Sequence, residues 1–183
     1  FPYTTLFRSS VLLFACGGSS SGSTGLAGAG GAFYVIDTVP KNNGTVFLNQ
    51  TIALEFTQEV DLTSVDLNSW SFVARDPGTG NPLGEAVVGE FRYQVTEGVT
   101  NRRVVEFLPT FPSNNLYDNG GFKPGRRYDV ELNAGSLRGA PALRSLGGQL
   151  LNRGAAFVFF TPEGTTPQQL FIDIRSGGPN RVA

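Results

Sequence analysis

The stretch Thr51-Ile52-Ala53-Leu54-Glu55-Phe56-Thr57 decides how this chain is read. Ile52, Leu54 and Phe56 alternate with Ala53, Glu55 and Thr57, so one face is apolar and the other largely polar. Neighbouring side chains of a strand point to opposite faces, and such alternation marks a strand lying between core and water in an antiparallel sheet. Asn49-Gln50 before it and the acidic run Gln58-Glu59-Val60-Asp61 after it limit the segment to one strand. The stretch 127–133 repeats the pattern, with Tyr128, Val130 and Leu132 inward and Asp129, Glu131 and Asn133 outward.

Outward from these two strands the chain keeps the same habit. Phe33-Tyr34-Val35-Ile36-Asp37-Thr38 reads as a first strand, stopped by Val39-Pro40 and turned at Lys41-Asn42-Asn43-Gly44, where Asn-Gly suits positive φ. Val46-Phe47-Leu48 reads as a short second strand. Residues 61–68 form a polar crossing with Leu62, Val65 and Leu67 spaced to plug a core edge as one helical turn. Trp70-Ser71-Phe72-Val73-Ala74-Arg75 is a further strand, and 76–84 is a Gly/Pro loop. Residues 87–95, with Phe91, Tyr93 and Val95 on one face, pair as a hairpin with 103–108 across Asn101. A long irregular connection at 110–125 and a loop-like 136–151 flank the strand at 127–133, and the apolar run 155–161 closes the series as a central strand.

Composition agrees. Among 183 residues, 24 Gly and 11 Pro supply turns, while 15 Phe and abundant Val supply strand formers, and no long helical periodicity is present. The length suits one domain with a real core. Net charge is −1, and no basic run exceeds Arg102-Arg103 or Arg126-Arg127, so nothing points to nucleic acid. With no methionine, even at position 1, the chain is expected to begin inside its gene.

The first 32 residues read as something other than fold. Phe1 to Ser9, FPYTTLFRS, resembles a translated sequencing adapter; a genuine n-region with Arg8 as its charge is the alternative. Val11-Leu12-Leu13-Phe14-Ala15-Cys16 resembles the end of a bacterial lipoprotein signal peptide, with Leu13, Phe14, Ala15 and Cys16 in the four lipobox positions. Phe14 is a less usual residue there. The resemblance implies cleavage before Cys16 and a diacylglycerol on its thiol. A lone cysteine is commonly a buried free thiol, but Gly17 to Gly31 offers nothing to bury it. The apolar run falls far short of the ~20 residues a membrane-spanning helix needs. The Gly/Ser tract 17–31 reads as a flexible tether. It is no phosphate loop, since no strand precedes it and no Gly-Lys-Ser/Thr ends it.

Taken in order, Val39-Pro40, Asn43-Gly44, Asn49, the strand at 51–56, Val60-Asp61, Ser64-Val65, Phe107-Leu108-Pro109, Pro124-Gly125, the strand at 128–132 and the run 157–161 resemble the bacterial Ig-like domain of the S-layer-protein type. The resemblance spans roughly 33–162 and departs from the pattern in the long 110–121 insertion and in the missing Asp-Gly after Leu137. It implies an all-β, Ig-like antiparallel β-sandwich behind a disordered N-terminal tether. The expected organisation is 1–15 adapter plus truncated signal peptide, 16–32 lipidated Cys16 and tether, 33–162 sandwich, and 163–183 linker. Leu170-Phe171-Ile172-Asp173-Ile174-Arg175 repeats the apolar run to Ile-Asp seen at 33–38, which reads as the first strand of a second module or as an edge strand of the first. Such domains serve as spacers or adhesive modules of the envelope and surface, and carry no catalytic residues to transfer.

Chemistry is sparse. With no histidine and one cysteine, Ser-His-Asp and Cys-His pairs and His-ligated zinc are excluded. Paired carboxylates remain, from Glu55, Glu59, Asp61, Asp66, Glu90, Glu106, Asp129 and Glu131, but most sit at outward strand positions or turns, where a carboxylate is simply solvated. Glu59, Asp61 and Asp66 lie close together without EF-hand spacing and read as an acidic surface. Trp70 and Tyr117 are the aromatic candidates for glycan stacking, though Trp70 opens a strand and reads as core. No enzyme, metal or cofactor is expected. The expected role is a structural or spacer module of an envelope lipoprotein, anchored to the membrane, outer or surface-facing, through Cys16. The alternative is an adhesion module for glycan or other envelope proteins, which an exposed aromatic cluster on one loop end would favour.

Overall fold

A computed structural model describes residues 31–135 and 141–172. Strands β1 (Val35–Val39), β3 (Ile52–Phe56), β6 (Val99–Pro109) and β5 (Gly89–Thr96) lie side by side in that order as one sheet. Strands β2 (Gly44–Thr45), β8 (Ala155–Phe160), β7 (Arg127–Leu132) and β4 (Trp70–Arg75) form the second. All pairings are antiparallel except the short parallel contact of β2 with β8. Lettered as in immunoglobulins, the sheets are A-B-E-D and A′-G-F-C, with the first strand split between them. The chain is therefore an Ig-like two-sheet sandwich.

The alternation seen in the sequence builds its core. Ile52, Leu54 and Phe56 are fully buried, as are Val105 and Phe107 opposite them in β6. From the other sheet come Trp70, Ala74, Tyr128, Val130, Leu132, Phe157 and Phe159. Rings interlock across the gap: Phe72 meets Phe107 at 4.7 Å and Trp70 meets Phe91 at 5.2 Å between centroids. Phe122, from the loop between β6 and β7, reaches in to pack on Tyr128 and Phe159, each 5.1 Å away. Tyr128 stands at the start of β7 and its hydroxyl accepts from the Lys123 N–H at 2.8 Å. This bond back to the upstream connection is the tyrosine corner of Ig-type sandwiches.

Several expectations give way to the tertiary structure. The second strand is Gly44–Thr45, not 46–48: after the Val46 N–H bonds Phe160 O the chain bends, and Val46 and Leu48 enter the core from a loop. Leu62–Ser64 makes the expected helical turn, but only Leu62 and Val65 pack inward while Leu67 stays 40 % exposed. The hairpin turns at Glu97 and Gly98, both at positive φ, rather than at Asn101, which lies inside β6. A register shift between Tyr93 and Gln94 carries the hairpin past the core, so Val95 is 59 % exposed instead of sharing the inward face of Phe91 and Tyr93. In the connection after β7, Leu143 and Leu151 are fully buried, a packing that loop composition hides. Where a strand is expected from Leu170 onward, Pro167–Leu170 is a helical turn with Leu170 buried in the sandwich core. The rest of that expected strand, 173–175, lies outside the described residues.

Candidate functional site

Several residues singled out for chemistry turn out to hold the fold. Asp129 takes Arg75 Nε at 2.5 Å and Arg127 Nε at 2.8 Å on its two oxygens. Glu106 accepts from Arg92 Nε at 3.0 Å and from Gln94. Asp61 accepts from the Thr63 N–H and hydroxyl, and Asp66 from the Asn68 and Ser69 N–H groups. These bonds, that of Ser69 foremost, hold the Asp66 carboxyl below its ordinary range. Glu55, Glu59, Glu90 and Glu131 are exposed. Glu59, Asp61 and Asp66 do not converge: among the described residues no group of three or more acidic, Cys or His side chains could hold a metal ion. Trp70 is fully buried and belongs to the core. Cys16 and the expected tether up to residue 30 lie outside the described residues, while the Gly31 and Ala32 carbonyls at its end accept from the Gln58 side chain and the Thr57 hydroxyl.

Tyr117 is different. It sits in the long connection between β6 and β7 at φ 55°, a left-handed conformation uncommon for a bulky side chain. Asn114 holds the loop, its C=O accepting from the Tyr117 N–H and its side chain bonding both the backbone and the carboxylate of Asp118. The Tyr117 ring meets Phe171 edge-on at 5.5 Å, and Phe111 lies nearly parallel to Phe171 at 6.1 Å. Phe111 is 46 % and neighbouring Leu116 73 % exposed, so apolar surface faces water beside this cluster.

Phe171 reaches the cluster because the chain after β8 is strapped down. Gln169 Oε1 accepts from the N–H groups of Thr165 and Thr166, donors that a helix start leaves unpaired. Leu170 fills the core, and its C=O accepts from the Leu48 N–H at 2.9 Å. Buried Asn49 then grips Ile172 twice, its side-chain N donating to Ile172 O at 3.1 Å and its side-chain O accepting from Ile172 N–H at 2.9 Å. The apolar run 170–172 is visible in the sequence; that Asn49 holds it is not.

The cluster marks one end of the sandwich. The Phe33 C=O accepts from Asn152, just ahead of β8, whereas the chain leaves beyond Phe160 at the other end of that strand. The chain therefore enters and leaves at opposite ends, about 20 Å apart along six residues of strand.

No protein-family model and no curated protein sequence matches the chain. Among solved structures, CopC from Methylosinus trichosporium OB3b is similar at 16 % identity and a TM-score of 0.40, over 73 % of this chain and 97 % of that one. The N-terminal part of the bacterial S-layer protein SbsC is similar at 12 % identity and a TM-score of 0.35, over 72 % of this chain and 24 % of that one. At such scores neither informs on this chain, and the sandwich rests on its own strand order.

Proposed function

We propose that this chain is a non-catalytic spacer module of a bacterial envelope lipoprotein, held to the membrane through Cys16 and a Gly/Ser tether. The observation that carries the reading is that the described chain enters the sandwich at Phe33 and leaves it beyond Phe160 at opposite ends, with the leaving segment gripped by Asn49. A module threaded end to end separates its N-terminal neighbour from its C-terminal one, and a gripped end transmits direction. Residues 173–183, beyond the gripped Ile172, then lead on as the linker toward a second module. The anchor rests on Leu13-Phe14-Ala15-Cys16. Several acyl chains, each methylene adding ~0.8 kcal/mol, hold a protein at a bilayer where one chain does not. The test restores a complete signal peptide ahead of Val11 and tracks radioactive palmitate in a bacterial host. Label in the wild type and none in Cys16→Ser is expected; equal labelling of the two removes the anchor.

The exposed ring of Phe111 and the half-buried ring of Tyr117, both against Phe171, favour a second reading, an adhesion module whose loop end meets glycan or protein. Aromatic faces stack on sugar rings, and the Asn114 loop presents Tyr117 rigidly. Retardation of the chain in gels containing envelope polysaccharide, lost in Phe111→Ala and Tyr117→Ala, is its signature.

A further inference from the structure

Of the four strands at the sheet edges, three are protected against pairing with another chain. β1 carries a register irregularity between Val35 and Asp37, β2 has two residues, and β4 is bridged at its Ala74–Arg75 end, by Pro82 opposite Arg75 and by the Leu83 N–H donating to Ala74 O. Irregular, very short and covered edges are the usual means of preventing edge-to-edge association. Among the described residues β5 has none of these along Gly89 to Tyr93: it is regular, lies last in its sheet, and becomes irregular only after Tyr93.

The ladder fixes which of its hydrogen-bonding groups stay open. The Thr110 N–H donates to Val88 O, so Val88, Glu90 and Arg92 direct their backbone groups to β6. Alternation then turns the N–H and C=O of Gly89, Phe91 and Tyr93 outward. Their side chains carry the complementary arrangement: Phe91 and Tyr93 pack on the core, while Glu90 and Arg92 are exposed on the outer face, Arg92 bonding Glu106 of β6 through Nε at 3.0 Å. The Tyr93 hydroxyl, bonded to Val60 O at 2.7 Å and to the Leu62 N–H at 3.2 Å, holds this edge rigid before any partner arrives.

We infer that β5 pairs antiparallel with β5 of a second copy of this chain about a two-fold axis at Phe91, joining two four-stranded sheets into one of eight. A two-fold interface must be self-complementary, and this register is. Phe91 exchanges both backbone bonds with the partner's Phe91, and Gly89 does so with the partner's Tyr93. Glu90 then stands opposite the partner's Arg92, and Arg92 opposite the partner's Glu90, on the outer face where opposed side chains lie closest. The two neighbouring registers that also match hydrogen-bonding groups place Glu90 against Glu90, or Arg92 against Arg92, and are disfavoured by like charge. The charge pattern thus selects one register and one occupant. The paired edge is short, so a weak dimer, micromolar or weaker, is expected.

Sedimentation equilibrium of the full chain under reducing conditions, which keeps Cys16 from cross-linking, tests this. The wild type should show a monomer–dimer equilibrium. Glu90→Arg should weaken it at least about tenfold by setting like charges across the axis, with an unchanged melting temperature because Glu90 is exposed. Glu90→Arg with Arg92→Glu and Glu106→Gln should restore dimerisation, since the opposed pairs return with signs exchanged and the third change removes the carboxylate that Arg92 bonds within its own sheet. A chain that stays monomeric at the highest soluble concentration overturns the proposal. So does a dimer indifferent to Glu90→Arg, which would place the contact elsewhere, for example at the Phe111 end, or a folded triple variant that remains monomeric.

Discussion

Tyr128 shows how much one hydroxyl carries. It is 1 % exposed, stacks on Phe159 at 5.0 Å, and accepts the Lys123 N–H. Tyr128→Phe keeps the stacking and leaves that donor without its partner, a cost of about 1–3 kcal/mol. Burial, only partly offset by the bond from Lys123, pushes the phenol pKa above its ordinary value. The unfolded chain loses this proton near pH ~10, while the folded chain keeps it to higher pH. The contribution is therefore fully present below the unfolded pKa and is lost as pH rises through the folded one. Denaturant titrations of wild type and Tyr128→Phe should show the gap at about pH 8 and its narrowing above about pH 10; a gap that widens contradicts the buried neutral phenol.

At the scale of elements, the strap after β8 is the informative piece. Pro167–Leu170 is too short to persist as a helix in isolation, and is held by Leu170 in the core and by Asn49 beyond it. Leu170→Ala should cost ~2–5 kcal/mol, the range for a buried leucine. Asn49→Ala should free the chain from Ile172 onward at a smaller cost. Thermal unfolding and hydrogen exchange separate the two: Leu170→Ala lowers the melting temperature, and Asn49→Ala speeds exchange of the Ile172 N–H. A melting temperature untouched by Leu170→Ala contradicts the packing described for Leu170.

Across the whole molecule a single core joins both sheets, from Phe33 at one end to Phe122 and Leu170 at the other. One core spanning every layer predicts one cooperative transition. Trp70 is the lone tryptophan and is fully buried, so its fluorescence reports on packing while far-ultraviolet circular dichroism reports on strands. The two signals should coincide through denaturant unfolding, and Phe56→Ala should shift both together by ~3–5 kcal/mol. A circular dichroism change preceding the tryptophan signal would divide the molecule into separate units.

The all-β character of the chain is legible without any structure. Alternation at Ile52, Leu54, Phe56 and at Tyr128, Val130, Leu132 is a local property, written in each residue and its next neighbours, and all six side chains are buried. The absence of histidine likewise excludes histidine chemistry outright. What alternation does not carry is partner choice. That the first strand divides between two sheets and that Leu170 turns into the core both depend on residues far apart in the chain. Asn49 and Ile172 stand 123 positions apart, and no local pattern marks their bond in advance. The ring contacts of Phe111 and Tyr117 with Phe171 likewise join a connecting loop to a distant segment. Only folding brings such pairs within reach, so the position of the candidate surface and the identity of the open sheet edge are properties of the folded chain alone.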